Sequence, residues 1–505
     1  MPRDGSSPSS DAARPALVAW EPWTPDVFRR AAEERKPVLL SLTASWCRGC
    51  DLMDAATYGD PRVADLIREA FVPVRVDTDR RPDVNSRYNL DGWPTTAVLT
   101  PSGEILTGST YLTPDAMLRM LESVRDAMRG RYDELMARAE QAAASRAVPS
   151  APLRYEPDGD APSWIVSRLF EQEDREYGGF GAGGKFLPVS PLQLALAWHA
   201  VAPDDRLAAL IVRTLDAFCW RGLFDEVDGG FFRCAANRDF TRPHTEKLLE
   251  DQVALVPLLL DAAARFDRPA YRERARDVIR YVHRTLADPE AGFFASQQAD
   301  DEYYALAGSI RATMEPPRVD RTVFTDLNAQ AIVSWLAAAR LLGEPELAQR
   351  ARRTASRVLA APVTDEGFRH WTDTDALSGL LTDQIHGAWA LVHLAAETVE
   401  GEYLSLANRV MDVAFRRFWD SRAGGFLDRI GRPGDVGLLR DARKPLMLNS
   451  LAARVLARLA RMTDQPVLHA RAREALGAVT AHYRTEGIGA SPYALAVLEL
   501  AGSPA

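Results

Sequence analysis

Val38-Leu39-Leu40-Ser41-Leu42-Thr43-Ala44-Ser45-Trp46-Cys47-Arg48-Gly49-Cys50 decides how the first part of this chain is read. Val38 to Thr43 is a short apolar run suited to a buried strand. It delivers two cysteines, three positions apart, to a helical stretch that runs through Met53. A cysteine at a helix N-terminus sits among unpaired backbone N–H groups, and the helix dipole favours its thiolate. Arg48 adds a positive charge beside Cys47. Cys50, one turn on, is placed to resolve a mixed disulfide. Working outward, Thr24 reads as an N-cap and Pro25 as the first residue of a helix that Lys36-Pro37 ends. Phe71 to Asp77 reads as a second strand. Gly92-Trp93-Pro94 leads into an apolar strand over Thr96 to Leu99, Ser102-Gly103 turns the chain, and Pro114 to Met128 closes the unit as a helix.

Strand, Cys-x-x-Cys, helix and a later Trp-Pro before a core strand together define a thioredoxin-like α/β domain. In such folds a cis-proline faces the cysteines, and Pro94 is the expected one. Cys47 and Cys50 are the expected catalytic pair, with Trp46, Arg48, Trp93 and Pro94 forming the redox groove. The other cysteines, Cys219 and Cys234, lie far off and read as core residues. The four cysteines do not make a secreted disulfide framework, and no second ligand pair completes a zinc site. No metal and no cofactor are therefore expected.

The bulk composition narrows the classes further. A chain of 505 residues exceeds one ordinary domain. Its net charge of −9 argues against nucleic acid as the main partner. No apolar stretch approaches a membrane span, and the Ser- and Pro-rich beginning lacks an apolar signal core. The expected location is cytoplasmic, with no membrane partner. Only Lys36, Lys185, Lys247 and Lys444 are lysines among 61 basic residues, so each raises the question of a specific need for lysine.

Beyond residue 160 a repeat dominates. Gly178-Gly179-Phe180, Gly229-Gly230-Phe231, Gly292-Phe293, Gly367-Phe368 and Gly424-Gly425-Phe426 recur, with Gly487-Ile488-Gly489 as a degenerate sixth copy. Each separates two amphipathic helical patterns. The preceding ones cover 162–172, 203–221, 267–286, 344–360, 400–418 and 464–484. The following, more apolar ones cover 188–201, 243–265, 325–342, 376–398, 443–462 and 490–501. Six helical hairpins predict an all-α (α/α)6 toroid, six-hairpin glycosidase-like, with the more apolar helices inside. The Gly-Phe loops collect at one end, where inner-helix N-termini suit polar or anionic ligands. That end is expected to present Lys185, His244, Glu246, Lys247, Asp326, Asp383, His386 and Lys444. The predicted layout is a disordered tail over 1–16, the thioredoxin-like domain over 17–131, a linker over 132–160 and the toroid over 161–505.

These motifs resemble the thioredoxin-domain-containing proteins of the spermatogenesis-associated protein 20 type. The carriers are Lys36-Pro37, Cys47-x-x-Cys50 with Met53, Asp77, Arg81-Pro82-Asp83, Gly92-Trp93-Pro94, Gly178-Gly179-Phe180-Gly181 with Lys185-Phe186, Gly229 to Arg233, Pro243 to Leu249 and Gly424-Gly425-Phe426. The resemblance implies a thioredoxin-like domain joined to a toroid like those of six-hairpin glycosidases and N-acylglucosamine 2-epimerases. The chain departs from that pattern in carrying Arg48-Gly49 between its cysteines, where the family usually has His-Trp. The reading is a thiol–disulfide redox protein whose partners are protein thiols or disulfides. Its toroid binds a sugar or anionic small molecule. The alternatives are a carbohydrate-active toroid, using Glu246, Asp326 and Asp383 or a histidine base, and a non-catalytic scaffold.

Overall fold

The computed structural model describes residues 17–147, 155–360, 363–373, 376–398 and 401–502. They fall into two units. The expected tail over 1–16 lies outside the described residues. In the first unit the apolar runs become a four-stranded sheet of β1 (Val38–Thr43), β2 (Val72–Asp77), β3 (Thr95–Leu99) and β4 (Ile105–Ser109). The order is β2-β1-β3-β4, with β1 parallel to β2 and antiparallel to β3. Around it lie α1 (Pro25–Glu33), α2 (Arg48–Ala56), α3 (Pro61–Ala70), α4 (Pro82–Tyr88) and α5 (Pro114–Ala147). Leu39, Leu40, Leu42, Val74, Ala97 and Leu99 are all fully buried, which is why the central strands read as near-continuous apolar runs.

Two boundaries differ from the sequence reading. Residues 132–147, expected as linker, continue α5 as helix past a non-helical Arg131. Gly434–Leu439, counted with the toroid from sequence, packs in the first unit. The Leu438 N–H donates to the Tyr88 hydroxyl at 2.9 Å, and Tyr88 donates to the Gly103 carbonyl at 2.8 Å.

The second unit is the toroid. Its inner helices are Val189–Val201, Leu249–Phe266, Thr325–Leu342, Leu381–Glu397, Leu446–Thr463 and Ser491–Leu500. Each touches the next and the last touches the first, so the ring closes. Ala161–Gln172, Asp205–Trp220, Pro269–Tyr281, Pro345–Val358, Gly401–Arg417 and Pro466–Gly477 form the outer layer. One stretch changes class: Pro243 to Leu248, expected as a helix start, forms two short strands before the helix begins at Leu249.

The Gly-Phe loops are tight β-turns held from two sides. In the second hairpin the Asp225 N–H donates to the Gly230 carbonyl at 3.0 Å and Gly229 N–H to the Asp225 carbonyl at 2.8 Å. Gly229 and Gly230 have φ of +78° and +79°, and a Cβ on Gly230 would stand 2.6 Å from the Tyr281 ring. The phenylalanine backbone is then bracketed by one amide side chain from the inner helix. Gln252 accepts the Phe231 N–H at 2.7 Å and donates to the Phe231 carbonyl at 2.8 Å. Asn328 does the same for Phe293, Gln384 for Phe368 and Asn449 for Phe426. All four amides also donate to the carbonyl four residues earlier in their own chain.

Removing such a bracket orphans two buried backbone groups. Gln384→Leu is expected to lower unfolding stability by about 2–4 kcal/mol. Urea titration of the toroid checks this, and an unchanged midpoint would show that Phe368 finds other partners.

Candidate functional site

In the first unit the site grows from the β1–α2 turn. Cys47 is the N-cap of α2, and its Sγ accepts the Cys50 N–H at 3.1 Å. The two cysteines are joined as a disulfide, with Cα atoms 5.3 Å apart. Both are nearly covered, so position at the helix end, rather than exposure, distinguishes them. The Trp93–Pro94 bond is cis. Pro94 lies against the turn: a Cβ on Gly49 would stand 3.1 Å from Pro94 Cδ and 3.9 Å from Cys47 Sγ. Glycine at 49 leaves room for this close approach. Trp46 and Trp93 meet edge to face with ring centroids 5.3 Å apart. Their indole N–H groups donate to Asp79 at 2.9 Å and to Thr78 at 3.1 Å. Trp46, Trp93 and Pro94 thus gather beside Cys47 and Cys50. Arg48 is half-buried on the first turn of α2.

In the toroid the expected funnel lysines do something else. Lys185 is buried, donating to Asp174 and to the Gly181 carbonyl, both at 2.7 Å. Lys247 has no exposure; it donates to Asp225 at 2.8 Å and to the Gly229 carbonyl at 2.7 Å. Lys444 pairs with Asp420 at 2.7 Å. Each lysine fastens the aspartate that opens its own Gly-Gly turn. None is left to face a ligand, which corrects the expected ring of cations. Although burial opposes it, the Arg238 and Lys185 partners hold the Asp174 carboxyl far below its usual range. Burial pushes the Lys247 ammonium down to about 8, against the pull of Asp225. Phe232, Tyr281 and Tyr304 surround that ammonium, with ring centroids 4.7–5.1 Å away. Arg311 also reaches this aspartate, its Nη1 lying 2.9 Å from both Asp225 oxygens. In the third hairpin, where the cation reaches in from the half-exposed side, Arg357 serves Asp288 at 2.6 Å.

The other expected residues divide. Glu246 is buried and taken by Arg233 at 2.5 Å, and His244 lies exposed on a short strand rather than at a helix start. Asp326, Asp383 and His386 are brought together. The bracketing amides point outward to the Gly-Phe turns. At 100° per residue, positions two before and two after each amide lie about 200° round, on the face toward the ring axis. Those before are Glu250, Asp326, Thr382 and Met447; those after include Gln330 and His386. Glu250 is exposed, Asp326, Thr382 and His386 are half-buried, and Met447 is 60% exposed.

Accessibility combined with desolvation marks a concave lining. Burial is the main cause raising the Glu250 carboxyl, with the Asp326 charge adding to it. Burial lowers the His386 imidazole while Asp326 pulls the other way. Behind this face, Asp383 is fully buried, pushed up to about 6 by burial against the pull of His370, whose Nδ1 lies 2.9 Å from its Oδ1. Asp251 is raised well above its usual value by burial and by Glu250. Neither Asp326 nor Asp383 caps its helix. The caps are Phe324 and Leu380, without side-chain bonds.

Sequence reasoning placed Asp251 at the funnel rim but missed Glu250, Thr382 and His370. The available signal was the fixed Lys-x-x-x-x-amide spacing of Lys247 to Gln252 and Lys444 to Asn449, which would have aligned the inner helices.

Fold and sites define a thioredoxin-like domain joined to a six-hairpin toroid. Residues 5–146 match the family described as "Thioredox_DsbH: Protein of unknown function, DUF255". Human "Spermatogenesis-associated protein 20" is 30% identical over 308 residues, 56% of this chain and 39% of that protein. The chain thus spans about two fifths of the length of the curated relatives it matches. A "Thiol:disulfide interchange protein DsbD" of Campylobacter jejuni is 27% identical over 90 residues, 17% of this chain and 16% of that one. Among solved structures, a cellobiose 2-epimerase from Spirochaeta thermophila covers 72% of this chain and 98% of its own. Its TM-score is 0.53 at 14% identity, which shows the fold alone. The chain is related to the spermatogenesis-associated protein 20 proteins, with a redox-type thioredoxin-like domain and a toroid of the sugar-epimerase and glycosidase fold. No helix among the described residues is long and apolar enough to cross a membrane.

Lys247→Met removes the buried ammonium from Asp225, leaving Arg311 at 2.9 Å as its remaining cation, and is expected to cost about 1–3 kcal/mol. Lys247→Arg keeps the charge but not the compact shape, and is expected to lose most of the same stability. Chemical denaturation of both variants checks this. Full rescue by arginine would refute the need for lysine.

Proposed function

We propose that the chain is a cytoplasmic thiol–disulfide exchange protein whose toroid binds a small polar ligand. The carrying observation is Cys47 at the N-cap of α2, disulfide-bonded to Cys50 and faced by Pro94. In the reducing direction the Cys47 thiolate attacks a substrate disulfide, forming a mixed disulfide and releasing one substrate thiolate. The Cys50 thiolate then attacks Cys47 Sγ, and the second substrate thiolate leaves. Two electrons pass to the substrate and the Cys47–Cys50 bond forms. Free N–H groups at the α2 N-terminus stabilise the Cys47 thiolate as nucleophile and as leaving group. Partners are protein thiols or disulfides that fit beside Trp46, Trp93 and Pro94.

A second reading is a carbohydrate-active toroid. Its support is the accessible ring of Glu250, Asp326, Thr382 and His386, where a carboxylate and an imidazole share one concave face. Glu246, tied to Arg233, drops out as a catalytic carboxylate. An anionic sugar finds no uncommitted lysine in the three turns, so neutral sugars are the better probes. Thermal shift against neutral sugars and sugar phosphates finds a ligand for either reading, and turnover of that sugar, by hydrolysis or epimerisation, decides between them.

Redox titration with a thiol-trapping mass tag is expected to show one two-electron transition between about −320 and −180 mV. Cys47→Ser should abolish disulfide reductase activity, whereas Cys50→Ser should trap a mixed disulfide on Cys47. An absence of any transition in that range would reduce the first unit to a scaffold.

A further inference from the structure

Asp326, His370 and Asp383 each offer one ligand atom, and these atoms lie within 4.8 Å of one another. They come from three separate segments: the first turn of the 325–342 helix, the strand-like stretch after Phe368, and the first turn of the 381–397 helix. We propose that these three side chains form a divalent-metal site on the wall of the toroid lumen.

Three observations carry the proposal. The first is an orphaned atom. Asp383 has no exposure; its Oδ1 lies against His370 Nδ1, and its Oδ2 has no hydrogen-bond partner. A buried carboxylate oxygen left unpaired is costly, and a cation between Asp326 and Asp383 supplies the missing partner.

The second is the support around the ligands. The Leu327 N–H donates to Asp326 Oδ1 at 2.8 Å, and the Thr382 hydroxyl donates to Oδ2 at 2.9 Å, fixing the carboxylate plane. The His370 backbone is pinned on both sides: its carbonyl accepts the Thr325 N–H at 2.9 Å and its N–H donates to Leu377 at 2.7 Å. Its ring leans on Phe324, with centroids 5.1 Å apart. Ligands oriented by such outer contacts are the usual construction of a metal site.

The third is charge. Glu250 and Asp251 add carboxylates to the same wall, while Lys185, Lys247, Lys444 and Arg233 are each committed to their own carboxylate. A divalent ion offsets this accumulation of negative charge. Two carboxylate oxygens and one imidazole nitrogen suit Mn2+, Fe2+ or Zn2+. Three protein ligands leave positions for water or a ligand hydroxyl on the half-buried Asp326 side, which opens to the lumen.

The test uses the full chain with its Cys47–Cys50 disulfide intact, so that free thiolates cannot capture the metal. After chelator treatment, Mn2+ binding is followed by calorimetry and electron paramagnetic resonance. One ion per chain is expected, with coupling to one imidazole nitrogen. Asp326→Asn and His370→Gln should each weaken binding by roughly 100-fold or more, and Thr382→Val by roughly 10-fold, with circular dichroism confirming the fold. Absence of saturable Mn2+ or Zn2+ binding at millimolar metal overturns the proposal. So does a wild-type signal without nitrogen coupling, or undiminished binding by a folded Asp326→Asn. Because the wild-type spectrum is itself diagnostic, a variant that fails to fold leaves the proposal open to refutation. The redox titration reads a different site, so either result stands without the other.

Discussion

The toroid depends on one repeated interaction: a single amide side chain that accepts from and donates to the same phenylalanine backbone. Each hairpin must turn tightly at its Gly-Phe loop and still satisfy the peptide groups it buries there. Turn residues with positive φ solve the geometry, and Gln252, Asn328, Gln384 and Asn449 solve the hydrogen bonding. Because each amide also reaches the carbonyl four residues back, it ties the loop to its inner helix in a fixed rotation. The aspartate that opens the turn is fastened from the other side, by lysine in three hairpins and by Arg357 in another.

That fixed rotation is the link to function. Once the amide face of every inner helix is committed outward, the opposite face is committed to the lumen. Glu250, Asp326, Thr382 and Met447 become equivalent positions of a ring, although nothing in their own chemistry relates them. Structural repetition therefore sets where side chains meet, and divergence at these positions sets what they can do. Met447, 60% exposed, is the apolar member of this set, where the other three positions are polar.

Much of the architecture was legible because it rests on periodicity and turn chemistry. The inner helix at 325–342 ends where its pattern and Gly343 end it, and the Cys-x-x-Cys turn lies on α2 as the strand-to-helix pattern requires. The failures have physical causes. Pro243 to Leu248 looks like a helix start, but β-pairing with Cys234-Ala235 and Ser296-Gln297 claims its backbone first. The rarity of lysine points from sequence to a ligand, whereas Lys185, Lys247 and Lys444 each pair with the aspartate of their own turn. Lys247 is buried among aromatic rings and bound to Asp225, a partner that its own sequence neighbourhood does not show. His370 was invisible for a related reason: its importance lies in a contact with Asp383 across a loop that carries no motif.

The two units use helix N-termini in different ways. At α2 the terminus receives a single sulfur, Cys47 Sγ, which accepts the Cys50 N–H at 3.1 Å. In the toroid, acids sit in the first turns of three neighbouring inner helices: Glu250 and Asp251, Asp326, and Asp383. The dipole favours the charge, by about 0.3–1 kcal/mol each at exposed sites. Desolvation and mutual repulsion act against it, and Glu250, Asp251 and Asp383 are all displaced upward. Burial wins in this contest because it acts on every member, while each dipole serves only its own helix. A ring of acids held above their ordinary affinity for protons is not at rest electrostatically. It is satisfied by protons, by a cation, or by a donor-rich ligand in the lumen, and each of these neutralises or pairs the same oxygens.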